Sequence, residues 1–88
     1  MITKITSKGN MVNIISDEIP RGQLISKREA LKRAKAIIGM DKDSEWLVEE
    51  LVKASNQAHI NETGVPYPSS SMDLLLATAK AEADKQPT

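Results

Sequence analysis

The sequence predicts an α+β fold in which an N-terminal β-hairpin precedes three α-helices, and three observations support this prediction. Two β-prone runs flank a Gly-Asn pair near the start of the chain. Three later segments repeat apolar residues at helical spacing, each behind a polar capping residue. With 88 residues, 40% hydrophobic and 27% charged, the composition is that of one small globular domain over 1–88.

The predicted hairpin spans residues 1–16. Its turn is Gly9-Asn10, because glycine accepts the positive φ that a type II′ turn requires. A two-residue turn at this point places Ile5 opposite Ile14 and puts both on one face with Val12. That face is the one we expect to meet the helices.

The first predicted helix spans 26–38 and follows an irregular connection over 17–25, which contains proline and glycine. Ser26 offers its hydroxyl as the N-cap, and Gly39 supplies the stop. The expected packing face is Ala30, Leu31, Ala34, Ile37 and Ile38.

The second predicted helix spans 43–58, behind candidate caps at Asp41, Asp43 and Ser44. A proline-containing loop follows over 60–70. The third helix spans 71–85, behind a Ser-x-x-acid capping signature at 70–73, and a later proline ends it.

The residue inventory argues against an enzyme, and we expect no catalytic, cofactor-binding or metal-binding residues. The chain has no cysteine and one histidine, so thiolate sites are excluded, and so are paired histidine ligands unless a second chain contributes one. Asp41-x-Asp43-x-Glu45 opens like a calcium loop, but Trp46 and Val52 stand where the loop needs Gly and Glu. We expect the histidine, His59, to lie at the end of the second helix and to interact with its terminal carbonyls.

Composition also predicts location and assembly. No run of apolar residues approaches the roughly 18 that a membrane span needs, and no signal-peptide pattern opens the chain. We therefore expect a cytoplasmic protein with no membrane partner. The chain lacks phenylalanine, so its core gains little area per residue, and we expect a homo-oligomer, such as a dimer, or a tight complex with another protein.

Charge is distributed unevenly although the net charge is zero. Residues 1–40 carry eight Lys or Arg against three Asp or Glu, and residues 41–88 carry four against nine. This asymmetry fits a basic surface for an anionic partner and an acidic surface for a cationic one. The alternative, which we favour, is that the two halves attract each other within the fold.

An exposed tryptophan is the first candidate for a partner-binding surface. At 100° per residue, Trp46 lies on the polar side of the second helix with Glu49, Glu50 and Lys53. Exposed tryptophan often anchors protein interfaces. Tyr67, between two prolines, is a second candidate anchor. The alternatives are a Trp46 that covers the junction of the first two helices and a Tyr67 that packs on its own domain.

A set of cations is the second candidate surface. Its members are Lys4, Lys8, Arg28, Lys32 and Lys35, the last three on one face of the first helix. Such side chains contact nucleic-acid phosphates without reading sequence. The alternative is a solvated helix face.

Two short resemblances concern DNA-binding regulators. Ile5-Thr-Ser-Lys-Gly9 resembles the opening strand of the swapped-hairpin AbrB/MazE family, although the later strands of that barrel are missing. The segment 28–53 resembles the two helices of a ribbon-helix-helix repressor, although the stretch 15–26 is long and irregular for that family's strand. Neither resemblance extends far enough to assign a family.

These observations favour a non-enzymatic regulatory or inhibitory protein that acts through protein–protein contacts, of the kind that phages and mobile elements use as accessory factors. The alternative is a dimeric DNA-binding transcriptional regulator or antitoxin. In that case the basic N-terminal half binds DNA and the acidic C-terminal half binds a protein partner.

Overall fold

The computed structural model describes residues 1–40 and 44–84, which form a three-stranded antiparallel sheet followed by three helices. The strands, in sheet order, are β1 (Ile2–Lys8), β2 (Met11–Ser16) and β3 (Gln23–Ser26). The helices are α1 (Lys27–Ile37), α2 (Ser44–Thr63) and α3 (Ser69–Asp84). The predicted α+β class with an N-terminal hairpin is confirmed. In the described ranges, no helix has both the length and the apolar character needed to cross a bilayer.

The hairpin has the predicted register. Ile5 lies opposite Ile14, and both side chains are 6% exposed. Gly9 has a φ of +61° whereas Asn10 does not have a positive φ, the combination that a type II′ turn requires. Val12 is fully buried on the same face as the two isoleucines, so one face of the hairpin meets the helices.

Strand β3 corrects the prediction of an irregular connection over 17–25. It pairs with β2, with Leu24 opposite Asn13. Ile25 points into the core while Leu24 is 46% exposed, as expected for a strand covered on one face. The return of the chain depends on Gly22, which has a φ of +87° and passes so close to β2 that a Cβ would overlap the Asn13 side chain.

Helix α1 begins and ends where its signals predicted. The backbone N–H of Glu29 donates to Ser26 Oγ over 3.0 Å, which confirms Ser26 as the N-cap. The helix ends at Ile37, and Gly39 then takes a φ of +79°.

Helix α2 is longer than the predicted 43–58, so the assignment of 60–63 to a loop is wrong. Gly64 is the true stop, with a φ of +82° and an N–H that donates to the Ile60 carbonyl over 2.8 Å. The candidate caps Asp41 and Asp43 lie outside the described residues.

Helix α3 begins at Ser69, two residues before the predicted start, because the Pro68 carbonyl accepts the first hydrogen bonds of the helix. The Pro68 carbonyl accepts from the N–H of Ser71 over 3.1 Å, so the helix begins before the predicted Ser-x-x-acid cap. The predicted C-terminal end of this helix lies outside the described residues.

Helix α2 lies at the centre of the fold and packs against β1, β2, α1 and α3. Its buried apolar residues are Val48, Leu51, Val52, Ala54 and Ala58. Helix α1 contributes Ala30 and Ala34 to the core, and both are fully buried. Helices α1 and α3 both pack on α2, and the groove described next lies beside α1.

Candidate anion-binding groove

Three cations of α1 form what we call the basic face: Arg28, Lys32 and Lys35, all exposed. Their spacing of four and three residues places them on one side of the helix, about 6 Å and then about 4.5 Å apart along its axis. Ala30 and Ala34 lie on the other side and are fully buried. Burial of these alanines therefore turns the basic face away from the core.

A cavity of about 600 Å³ opens beside the basic face, and we call it the α1 groove. Its lining residues are Lys27, Arg28, Leu31, Lys32, Lys35, His59 and Tyr67. No carboxylate occurs among the described residues that line it. A second cavity, of about 400 Å³, begins at Lys35 and reaches Leu74 and Thr78 of α3. The groove thus combines positive charge with an apolar and aromatic lining.

Two stacked rings form one end of the α1 groove. The His59 and Tyr67 rings lie nearly parallel, with an interplanar angle of 9° and centroids 4.1 Å apart. The Tyr67 backbone is fixed by its position between two prolines and by its N–H, which donates to Asn56 Oδ1 over 2.9 Å. The ring pair is therefore in place before any ligand arrives.

Lys27, the first residue of α1, connects that helix to the ring pair and to α2. Its Nζ lies 2.7 Å from His59 Nδ1 and 3.1 Å from a Glu62 carboxylate oxygen. Because an ammonium group only donates, Nδ1 is the acceptor in this contact. The same lysine lowers the pKa of Glu62 through its hydrogen bond and its charge, with a further hydrogen bond from Asn10. The positive charge of Lys27 is thus balanced by a carboxylate of the same protein.

The basic face has no such partner. Among the ion pairs of the described residues, Glu62 takes Lys27 and Glu29 takes Arg33, whereas Arg28, Lys32 and Lys35 have none. Among the ion pairs of the described residues, only that of Lys27 with Glu62 joins the basic N-terminal half of the chain to its acidic C-terminal half. These ion pairs therefore leave the three positive charges of the basic face without a partner among the described residues.

The structure divides the predicted cation set. Lys4 and Lys8 lie on β1, where they alternate with the buried Ile5, so they occupy the face of the sheet opposite the helices. They do not line the α1 groove. This separation follows from the hairpin register, in which Lys4 and Lys8 alternate with the core-facing Ile5.

The structure also divides the predicted protein-binding set. Trp46 is 44% exposed on α2, as the helical wheel predicted, and Glu50 lies one turn further along. Glu49 and Lys53 pair with each other over 2.8 Å, which raises the pKa of Lys53. We call Trp46, Glu49, Glu50 and Lys53 the Trp46 face. Tyr67 lies apart from it, in the α1 groove.

His59 is the groove residue that sequence analysis interpreted wrongly. It lies one turn before the end of α2, where its side chain contacts Lys27 and Tyr67 instead of terminal carbonyls. A usable signal was the Gly64 stop, which reverses the chain and returns Tyr67 towards α2.

The described residues contain no group of three or more side chains suited to hold a metal ion. Comparisons of the chain with protein-family models, with curated proteins and with solved structures give no match. The geometry of the α1 groove is therefore the basis of the functional proposal.

Proposed function

We propose that this chain is a non-enzymatic binding protein whose α1 groove takes up the phosphates of a nucleic acid. The observation that supports the proposal is the basic face: three exposed cations, without ion-pair partners among the described residues, along one wall of a 600 Å³ cavity. A location in the cytoplasm, as the sequence predicts, is part of this proposal.

Phosphates are the ligand that this arrangement suits best. Arg and Lys contact phosphate oxygens without reading bases, and release of counterions from the nucleic acid supplies much of the affinity. An acidic polypeptide would also be attracted to three cations. It would gain less from the stacked His59–Tyr67 pair, because aromatic rings at a basic groove are typical of nucleic-acid surfaces.

The test is fluorescence anisotropy with a labelled oligonucleotide and two charge-reversal variants of the full chain. One variant is Lys32→Glu with Lys35→Glu, and the matched control is Lys4→Glu with Lys8→Glu. Both change the net charge equally, and all four positions are exposed. We expect the groove variant to bind about tenfold or more weakly than the control, since it reverses two phosphate contacts.

Equal losses in the two variants would show that only net charge matters and would contradict the proposal. Displacement of the oligonucleotide by polyglutamate at equal charge concentration would favour an acidic protein partner instead.

A second candidate function, contact with a protein partner, is favoured by Trp46. This large side chain is 44% exposed on α2. Trp46→Ala should weaken capture of such a partner about 30-fold if Trp46 is a binding hot spot of about 2 kcal/mol. Unchanged self-association and partner binding in this variant would contradict the second candidate.

A further inference from the structure

We infer that the α1 groove holds a single nucleic-acid strand, with one base stacked on the Tyr67–His59 pair and the neighbouring phosphates on the basic face. This inference rests on the proposed function and specifies its ligand. Phosphate contacts require only cations and do not involve the ring pair at the end of the same cavity. A base stacked on these rings would make the ring pair part of the binding site.

The ring pair favours a single strand over a duplex. The cavity, of about 600 Å³, lies within the range of about 300–1,000 Å³ that holds small organic ligands, so it has room for one nucleotide. Bases in a duplex are stacked on each other, whereas those of a single strand offer free π-faces to aromatic side chains.

The aromatic platform is rigid, which reduces the entropy lost when a base binds. Tyr67 is half-buried, and its ring is supported by His59 at 4.1 Å. Its backbone is held by the hydrogen bond to Asn56 on α2. Preorganised groups bind more tightly because less freedom remains to be lost.

The basic face begins next to the ring pair. Lys27, which is paired with Glu62, has its Nζ 6.0 Å from the centroid of the Tyr67 ring, and Arg28, the first residue of the basic face, follows it in the lining. Lys32 and Lys35 continue along the groove wall, about 10 Å along the helix axis from Arg28 to Lys35. A strand that follows the basic face therefore has one end at the ring pair.

The experiment compares three probes on the full chain at low salt: labelled oligothymidylate of about 12 nucleotides, an abasic strand of the same length, and a duplex. The variants are Tyr67→Leu, which removes the ring, and Tyr67→Phe, which keeps it. Circular dichroism checks that both remain folded.

We expect wild type to bind oligothymidylate about 5- to 150-fold more tightly than the abasic strand, the range for one stacked base. Tyr67→Leu should lose most of this difference, and Tyr67→Phe should retain it. Equal binding of the base-bearing and abasic strands, or tighter binding of the duplex, overturns the inference but leaves the proposed function intact. If none of the probes binds, both fail. If Tyr67→Leu unfolds, the comparison of the two strands on wild type still decides.

Discussion

The salt dependence of nucleic-acid binding can be worked out from the ion pairs of α1. Three cations of the α1 groove, Arg28, Lys32 and Lys35, have no ion-pair partner among the described residues, whereas Lys27 is neutralised by Glu62. Three phosphate contacts give a slope of about −2 in a plot of log affinity against log salt for a single strand. Raising NaCl from about 50 to about 200 mM should then weaken binding about 20-fold.

Removing two of the three contacts should flatten this dependence. The Lys32→Ala and Lys35→Ala double variant retains one contact, so the same change in salt should weaken its binding only about threefold. Anisotropy titrations at four or more salt concentrations measure both slopes, with Lys4→Ala and Lys8→Ala as the control that keeps the wild-type slope. A groove variant with an unchanged slope would refute the reasoning, because the phosphates would then be neutralised elsewhere.

Three further predictions concern the fold and its pH dependence. Gly22→Ala should destabilise the protein more than Gly9→Ala in urea unfolding, because both glycines have positive φ but only at Gly22 does a Cβ meet another side chain; equal losses would contradict the close approach. Leu51→Ala, at a 3% exposed core position, should lower the free energy of unfolding by about 2–5 kcal/mol, whereas Leu74→Ala, 70% exposed, should change it by less than about 0.5 kcal/mol. The lowered pKa of Glu62 contributes stability that is present above its unfolded value, about 4.3, and is lost as the pH falls through the folded value. Glu62→Gln should therefore lower the stability at neutral pH and make the loss of stability in acid less steep. Thermal unfolding over a range of pH measures both effects. The same pH dependence in the variant and the wild type would contradict a stabilising pair of Lys27 with Glu62.

The parts of the fold that sequence analysis predicted depend on short-range signals. The Gly9-Asn10 turn fixes the hairpin register, and Ser26 and Gly39 bound α1. In each case the deciding interaction joins residues a few positions apart, so the local pattern contains it.

The parts that it missed depend on contacts between distant segments. Strand β3 has only four residues, and it exists because β2 offers a free edge on which Leu24 can pair with Asn13. The sequence predicted one part of the candidate groove, since helical spacing placed the three cations of the basic face together. It did not predict the stack of His59 on Tyr67 or the contact of His59 with Lys27, which join residues 8 and 32 positions apart. No local pattern encodes such pairs, since each joins a residue of α2 to a residue outside that helix.

Chemical-shift mapping tests the central claim most directly. Amide resonances of the full ¹⁵N-labelled chain are followed while unlabelled oligothymidylate is added at low salt. If the α1 groove is the binding site, the largest changes fall on the basic face and on Tyr67, while the Trp46 face and Lys4 remain at the baseline. Changes centred on the Trp46 face or on the outer side of the sheet would contradict the assignment of function to this groove.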